Sequence, residues 1–369
     1  MPVISVLNYI LVQYHLMKLN QLTFTRFLAA LLIIMYHGGA HHILTHSSMA
    51  QQFFKVSNLC VNYFFILSGF VMIVAYAQRE KAKVDYRDFY INRFARIYPI
   101  YVIALLLSTN GHLKGIFSFD FLLQATLLQS WVPGHVLTFN IPGWSLSNEA
   151  FFYLSFPLLL NYLYKKVSVQ TTTFILIAAF VILKLTSYIL YHSSFYKGFP
   201  SPSHDFVSYF PAFNISDFLL GNILGLWFLK IPKTYFRNYD IPVILTVVVA
   251  FFMMGLSIGL NYISFVFAGL ILFLSLNTKG YITRLFSMNP LVLLGEASFG
   301  IYILMGPLFS LVAKVTAKLG LGNAKSASTF YISLVVLIAA SIISYKLIEI
   351  PARNFIKTKW TNKKLAANA

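Results

Sequence analysis

Arg26 and His37 stand at the two ends of ten almost wholly apolar residues, within the segment from Thr25 to His42, TRFLAALLIIMYHGGAHH. On an α-helix that eleven-residue step rises roughly 16 Å and turns about 1100°, three full turns plus about 20°, so the two side chains share one face. In a hydrocarbon core about 30 Å thick, Arg26 would sit near one surface and His37 more than halfway across. An ionisable side chain at that depth is costly and is by default a functional hypothesis. Two readings stand for His37: an imidazole placed to move a proton, or a neutral histidine hydrogen-bonded inside a helix bundle.

A second group of candidates lies in REKAKVDYRDFYINRFARIYP, the most basic part of the chain. Arg93 and Arg96 are three residues apart and so lie on one helical face. Two such guanidiniums can grip a phosphate bidentately. A basic stretch can equally rest on anionic lipid. Arg26, arriving from the same side, favours the phosphate reading. In IPGWSLSNEAFFYLSFPLLL, Pro142-Gly143 breaks the chain and Ser145 is an expected N-cap. Glu149 then falls in the first turns, where it either answers the helix dipole or orients His37 and raises its basicity.

The remaining polar groups at depth read as structural. Asn62 and Ser68 lie in the second apolar run, where Ser68-Gly69 allows close helix approach. Asp217 and Glu296 are further acidic residues at membrane depth, and Glu296 is expected to pair with an arginine. Glu349, ahead of Pro351 and Arg353, is expected to make a helix-end ion pair. His41, His42 and His46 cluster after His37, but no carboxylate or cysteine accompanies them at ligand spacing, so no metal is expected.

These residues need elements to hold them, and composition says which. The chain has 369 residues, 58% hydrophobic and 10% charged, with mean hydropathy +0.73. A soluble domain carries about 25% charged residues. The expected fold class is therefore all-α, a polytopic transmembrane helix bundle of about ten spans. They fall near 23–43, 56–77, 95–110, 145–164, 172–191, 211–230, 241–260, 262–278, 290–313 and 328–349. The third is the weakest, with Pro99 expected in its first turn. Spans seven and eight read as a tight hairpin. Phe117 to Trp131 reads as an interfacial or re-entrant helix.

The net charge of +18 would suit nucleic acid, but the basic residues fall between apolar spans. With both termini inside, 21 of the 28 Lys and Arg lie in cytoplasmic segments, six lie outside, and Lys184 lies within the fifth span. That bias orients the bundle with both termini cytoplasmic. Lys314, Lys318 and Lys325 run against it. The single cysteine, Cys60, permits no internal disulfide and no cysteine-based zinc site. No repeated half-sequence points to an inverted-repeat transporter. Residues 1–18 form an N-terminal extension without a basic n-region or a clear cleavage site. Met17 is a candidate true start, which an intact mass of the native protein would decide. Residues 358–369 read as a basic cytoplasmic tail.

Six segments in order carry a family likeness: RFLAALLIIMYH, VNYFFILSGF, FYINRFARIYP, WSLSNEAFFYLSFPLL, GEASFGIYIL and IEIPAR. Over about residues 19–357 the chain resembles membrane-bound acyltransferase family 3, bacterial O-acyltransferases that acylate surface sugars and some small molecules. The resemblance implies transfer of an acyl group, usually acetyl, from acyl-CoA to a hydroxyl. It places the family's Arg-to-His pair on Arg26 and His37, its RxxR motif on Arg93 and Arg96, and its glutamate on Glu149. Asn62 stands where the family often has Asp, and Met305 where it often has His.

The expected protein is thus an inner-membrane O-acyltransferase with a carbohydrate acceptor such as a surface polysaccharide or its lipid-linked precursor. In that reading His37, Glu149 and Arg26 are catalytic, and Arg93, Arg96 and Arg26 bind the donor. The expected partners are the acceptor sugar and membrane lipid, with no nucleic acid. A transporter or flippase for a lipid-linked sugar is the alternative. It accounts for the spans but not for the Arg-His pair beside a phosphate-sized basic cluster.

Overall fold

The computed structural model describes residues 19–39, 47–77, 84–109, 113–323 and 326–368. The N-terminal extension, His41, His42, His46 and Lys325 lie outside the described residues. Among those described, the chain is helical and has no strands. Five helices are long and apolar enough to cross a membrane, and two shorter apolar helices accompany them.

The core is built from α1 (Asn20–Ile34), α3 (Cys60–Tyr76), α4 (Tyr86–Ser108), α6 (Gly143–Leu158) and α9 (Pro211–Phe228). A short α2 (Ser48–Lys55) and an α5 (Phe119–Ala125) connect them, with α7 (Val169–His192) and α8 (Pro202–Tyr209) leading into α9. Then come α10 (Asp240–Leu256), α11 (Ile263–Leu276), α12 (Tyr281–Phe286), α13 (Asn289–Glu296), α14 (Ser298–Lys318), α15 (Ala327–Ser344) and α16 (Ile350–Asn368). Side-chain caps start several of them. Asp85 accepts from the Arg87 and Asp88 amides at 2.9 and 3.4 Å, which fixes the start of α4 well before Pro99.

That start corrects the expected third span. Pro99 lies inside a 23-residue helix rather than in its first turn, and Arg93 and Arg96 belong to the same rigid element. A second correction concerns Ser145. Helix α6 begins at Gly143 with Pro142 as its cap residue, and the Ser145 hydroxyl instead donates to the Pro142 carbonyl and to the Tyr302 hydroxyl. A third concerns Glu349. It makes no ion pair with Arg353 among the described residues, because the helix does not end there. A π-helical turn at Tyr345–Glu349 leads directly into α16. Such a turn loosens the backbone ladder where Pro351 supplies no N–H.

Helices α3 and α9 pack backbone to backbone. A Cβ on Gly69 would fall 2.1 Å from the Phe218 carbonyl oxygen, and one on Gly221 2.0 Å from that of Ile66. Gly225, four residues on, lies against Ile73. This small-xxx-small contact is the membrane solution where burial gives no drive between helices. The close approach expected at Ser68-Gly69 is observed, and its partner is Gly221-xxx-Gly225. Across the same region Lys184 of α7 reaches the fully buried Asp217 of α9 at 3.0 Å. Helices α10 and α11 form the expected hairpin, turning at 257–262 with Ser257 and Gly259 in left-handed backbone. Residues 117–131 form the short helix α5 and one 3-10 turn. Tyr98 and Tyr101 of α4 hold them by donating to the carbonyls of Ala125 and Gln124.

Candidate active site

A cavity of about 490 Å³ opens between α1, α3, α4 and α6, closed on a further side by the α13–α14 junction. Along α3 its lining runs from Ala75 to Val61, about 21 Å of helix rise for those residues. Arg26 of α1 and Arg93 and Arg96 of α4 all line it, together with Glu149 and Tyr153 of α6, Glu296 of α13 and Tyr302 of α14. Arg96 lies deep in the bundle yet is exposed, because its free surface faces this cavity.

The three guanidiniums make no ion pair among the described residues. Arg93 is held by aromatic groups instead. Its Nη2 donates to the Tyr76 hydroxyl at 3.2 Å, and its plane lies 5.5 Å from the Tyr76 and Phe89 ring centres and 5.6 Å from that of Tyr153. Aromatic faces attract a guanidinium without cancelling its charge. Its Nε is buried with no hydrogen-bond partner. A buried donor left unmade is costly, so this geometry suits a ligand that supplies acceptors. The cavity is positive at one end and apolar along its length, where Val61, Phe64, Leu67 and Val71 line it.

The Glu149 carboxylate accepts from the Tyr153 hydroxyl at 2.7 Å and feels Arg26, Arg96 and Arg93. It sits in the second turn of α6, about 9 Å along the helix from Gly143. That displacement faces it to the arginines and not to His37, correcting the expected carboxylate–imidazole pair. Glu296 accepts from the Tyr345 hydroxyl at 3.1 Å rather than from an arginine. Behind it a recess of about 20 Å³ gathers Arg26, Arg96, Glu296, Tyr345, Glu349 and Arg353.

His37 lies elsewhere. Helix α1 ends at Ile34 and continues as a π-helical turn, Met35–Gly39. The imidazole in that turn is exposed, does not line the cavity, and meets the Tyr36 ring edge-on at 4.9 Å. A line of aromatic contacts joins the two places. Phe65, which lines the cavity, meets the Trp144 ring at 6.1 Å, and Trp144 meets Tyr209 at 4.8 Å. Burial, with smaller contributions from Asp205, Tyr36 and Tyr196, pushes the Tyr209 phenol up to about 12. Tyr36 is thus a neighbour of Tyr209. At the cavity's inner end Ser145 and Tyr302 are hydrogen-bonded at 3.0 Å. Outside the cavity lining His135 and Asp120 pair at 2.5 Å, and Asp205 accepts from the Gly134 amide at 2.8 Å. No group of three or more histidine, cysteine or acidic side chains is placed to hold a metal among the described residues.

Of the residues expected from sequence, Arg26, Arg93, Arg96 and Glu149 therefore share one cavity, and His37 stands beyond its inner end. Tyr76, Tyr153 and Tyr302 were not anticipated. Tyr153 had a signal, since it stands one helical turn from Glu149. Tyr76 had none, because it meets Arg93 only through tertiary packing.

The fold and site define an integral membrane protein with a guanidinium-lined cavity in its helix bundle. The chain belongs to acyltransferase family 3: residues 19–346 match the family described as acyltransferase domain. It is similar to the acyltransferase MdmB of Streptomyces mycarofaciens, 31% identical over 226 residues, 57% of each chain. It is also similar to protein 2 in the picA locus of Rhizobium radiobacter, 44% identical over 63 residues, 16% of this chain and 33% of that one. The chain thus spans little more than half the length of one curated relative and a third of the other. No solved structure matches it.

Proposed function

We propose that this protein is a bacterial plasma-membrane O-acyltransferase that moves an acyl group, acetyl in the simplest case, from acyl-CoA to a hydroxyl of a carbohydrate. One observation carries the reading. Arg26, Arg93 and Arg96 converge from two helices on one cavity without a carboxylate in ion-pair contact. Three guanidiniums face two carboxylates, Glu149 and Glu296, in one lining, and the surplus positive charge asks for an anion, with a phosphate suiting their fork geometry. The whole lining of the cavity along α3, largely apolar, runs about 21 Å, the scale of an extended pantetheine arm.

In this reading Arg93 and Arg96 hold the donor's diphosphate, with Arg26 deeper. Tyr76 and Tyr153 hold Arg93 in place without neutralising it. The thioester is brought toward Ser145 and Tyr302, and His37 takes the acceptor hydroxyl's proton from the far side. The thioester carbon is then attacked by the acceptor oxygen, the carbon–sulfur bond breaks, and the CoA thiolate takes up the proton that the His37 imidazolium gives back, leaving as the thiol. For His37 to act so, donor and acceptor must meet at the layer formed by Trp144, Ser145 and Tyr302. Glu149 belongs to the donor side, where it balances the arginines.

Purified protein in detergent, given labelled acetyl-CoA and a polysaccharide precursor, should transfer label to the sugar. Failure to bind coenzyme A would overturn the donor assignment. Comparing surface glycans by mass spectrometry with and without the gene identifies the acceptor, and unchanged glycans would remove the carbohydrate. The likeness to MdmB, itself an acyltransferase, supports the acyltransferase reading.

A further inference from the structure

The bundle's last helix does not stop at the membrane. Helix α16 runs from Ile350 to Asn368, beyond the residues matched by the family. It packs against the start of α4, where the Trp360 indole donates to the Asp88 carboxylate at 2.8 Å. That contact places one basic face beside the donor cavity. Arg353 borders the recess shared by Arg26 and Arg96. Lys357 stands four residues on, on the same face. Its side chain is exposed, and its charged neighbours include Arg353, Arg93 and Arg96, with the Tyr76 phenol that holds Arg93.

The cations therefore form two tiers. Arg26, Arg93 and Arg96 line the cavity, and the exposed Lys357 lies outside its lining, close enough to Arg93 and Arg96 to feel their charge. A ligand that filled both would carry phosphate at two separated positions. Coenzyme A has that chemistry. Its diphosphate joins the pantetheine arm, and its ribose 3′-phosphate lies on the adenosine side, farther from the thioester. We infer that Lys357 of the C-terminal helix, seated by the Trp360–Asp88 bond, holds the donor's ribose 3′-phosphate. The inference rests on the acyl-CoA reading above, and Arg353, which lines the recess with Arg26 and Arg96, lies on the same helix face. A phospholipid headgroup offers similar phosphate chemistry to a cytoplasmic lysine, so the test separates the two sources.

Binding of coenzyme A and of 3′-dephospho-coenzyme A to the full chain in neutral detergent is the measurement. The wild type should prefer coenzyme A. Lys357→Gln should weaken coenzyme A binding about three- to fivefold, the scale of one exposed charge pair. The same variant should leave dephospho-coenzyme A unchanged, and Lys357→Arg should restore the preference. Arg93→Gln with Arg96→Gln should weaken both ligands alike. If the wild type binds both ligands equally, or Lys357→Gln affects both equally or neither, Lys357 does not hold the 3′-phosphate while the donor reading stands. If neither ligand binds the wild type, the donor reading falls first. The third arm uses nanodiscs of phosphatidylcholine with and without phosphatidylglycerol. A Lys357→Gln defect that appears only with the anionic lipid overturns the proposal in favour of a headgroup contact.

Discussion

At the scale of the residue, the proposed reaction divides its groups between two places about 16 Å of helix apart. His37→Ala should cost turnover on the order of 10²–10⁴-fold, the contribution of a positioned general base. Donor affinity should survive, because the imidazole does not line the cavity. Labelled-acetyl transfer and coenzyme A binding, measured on one preparation, read the two separately. Unchanged transfer would remove His37 from the reaction. Arg93→Gln should act oppositely, weakening donor binding by about 1.5–3 kcal/mol as hydrogen bonds to a charged group are lost. Tyr76 and Tyr153 should fold normally around the shorter amide. An unchanged affinity would leave Arg93 a purely structural cation held by three rings.

At the scale of the element, the positions of those residues depend on how closely helices approach. Gly221→Val puts methyl groups where the Ile66 carbonyl oxygen lies only 2.0 Å from a Cβ. Helices α3 and α9 must separate, and the thermal midpoint in detergent should fall by several degrees. Gly269→Ala is the internal control, since the nearest atom to its Cβ is 4.0 Å away in the Phe273 ring. It should be neutral or slightly stabilising, as alanine is the better helix former. The Lys184–Asp217 pair makes a second test. Lys184→Met leaves the buried Asp217 carboxylate without its cation. Losing one partner of a buried pair costs about 3–5 kcal/mol, and less here because the lysine side chain is 36% exposed. Adding Asp217→Asn should recover most of the loss in the same melting experiment. If the double variant is no better than the single one, the pair is not what Lys184 contributes.

At the scale of the whole molecule, the distribution of charge sets the topology. A cysteine introduced at Ser168 should be labelled from the cytoplasm, and one at Ser203 from outside. The native Cys60 is buried and should give little background. Labelling of both positions from one side would overturn the assignment of faces made from lysines and arginines. The large features were legible without coordinates because they follow from hydropathy alone. Long apolar runs must become helices where no water serves the backbone. The Arg26–His37 and Arg93–Arg96 spacings were equally legible, since residues on one helix keep a fixed angular relation.

What lies between helices was not legible. Sequence placed Glu149 near His37 because both were assigned to the outer half, whereas tertiary packing turned it to Tyr153 and the arginines. Sequence named Lys184 and Asp217 separately and could not join them, because nothing in a chain's periodicity sets the distance between two helices. The tail read as a solvated basic end until Trp360 and Asp88, 272 residues apart, bound it beside the cavity. By itself, then, the sequence determined the class of solvent, the all-helical fold, the family and the residues able to do chemistry. Those depend on composition and on relations within one helix. The tertiary structure alone decided which of those residues share a cavity, because that depends on contacts between helices far apart in the chain.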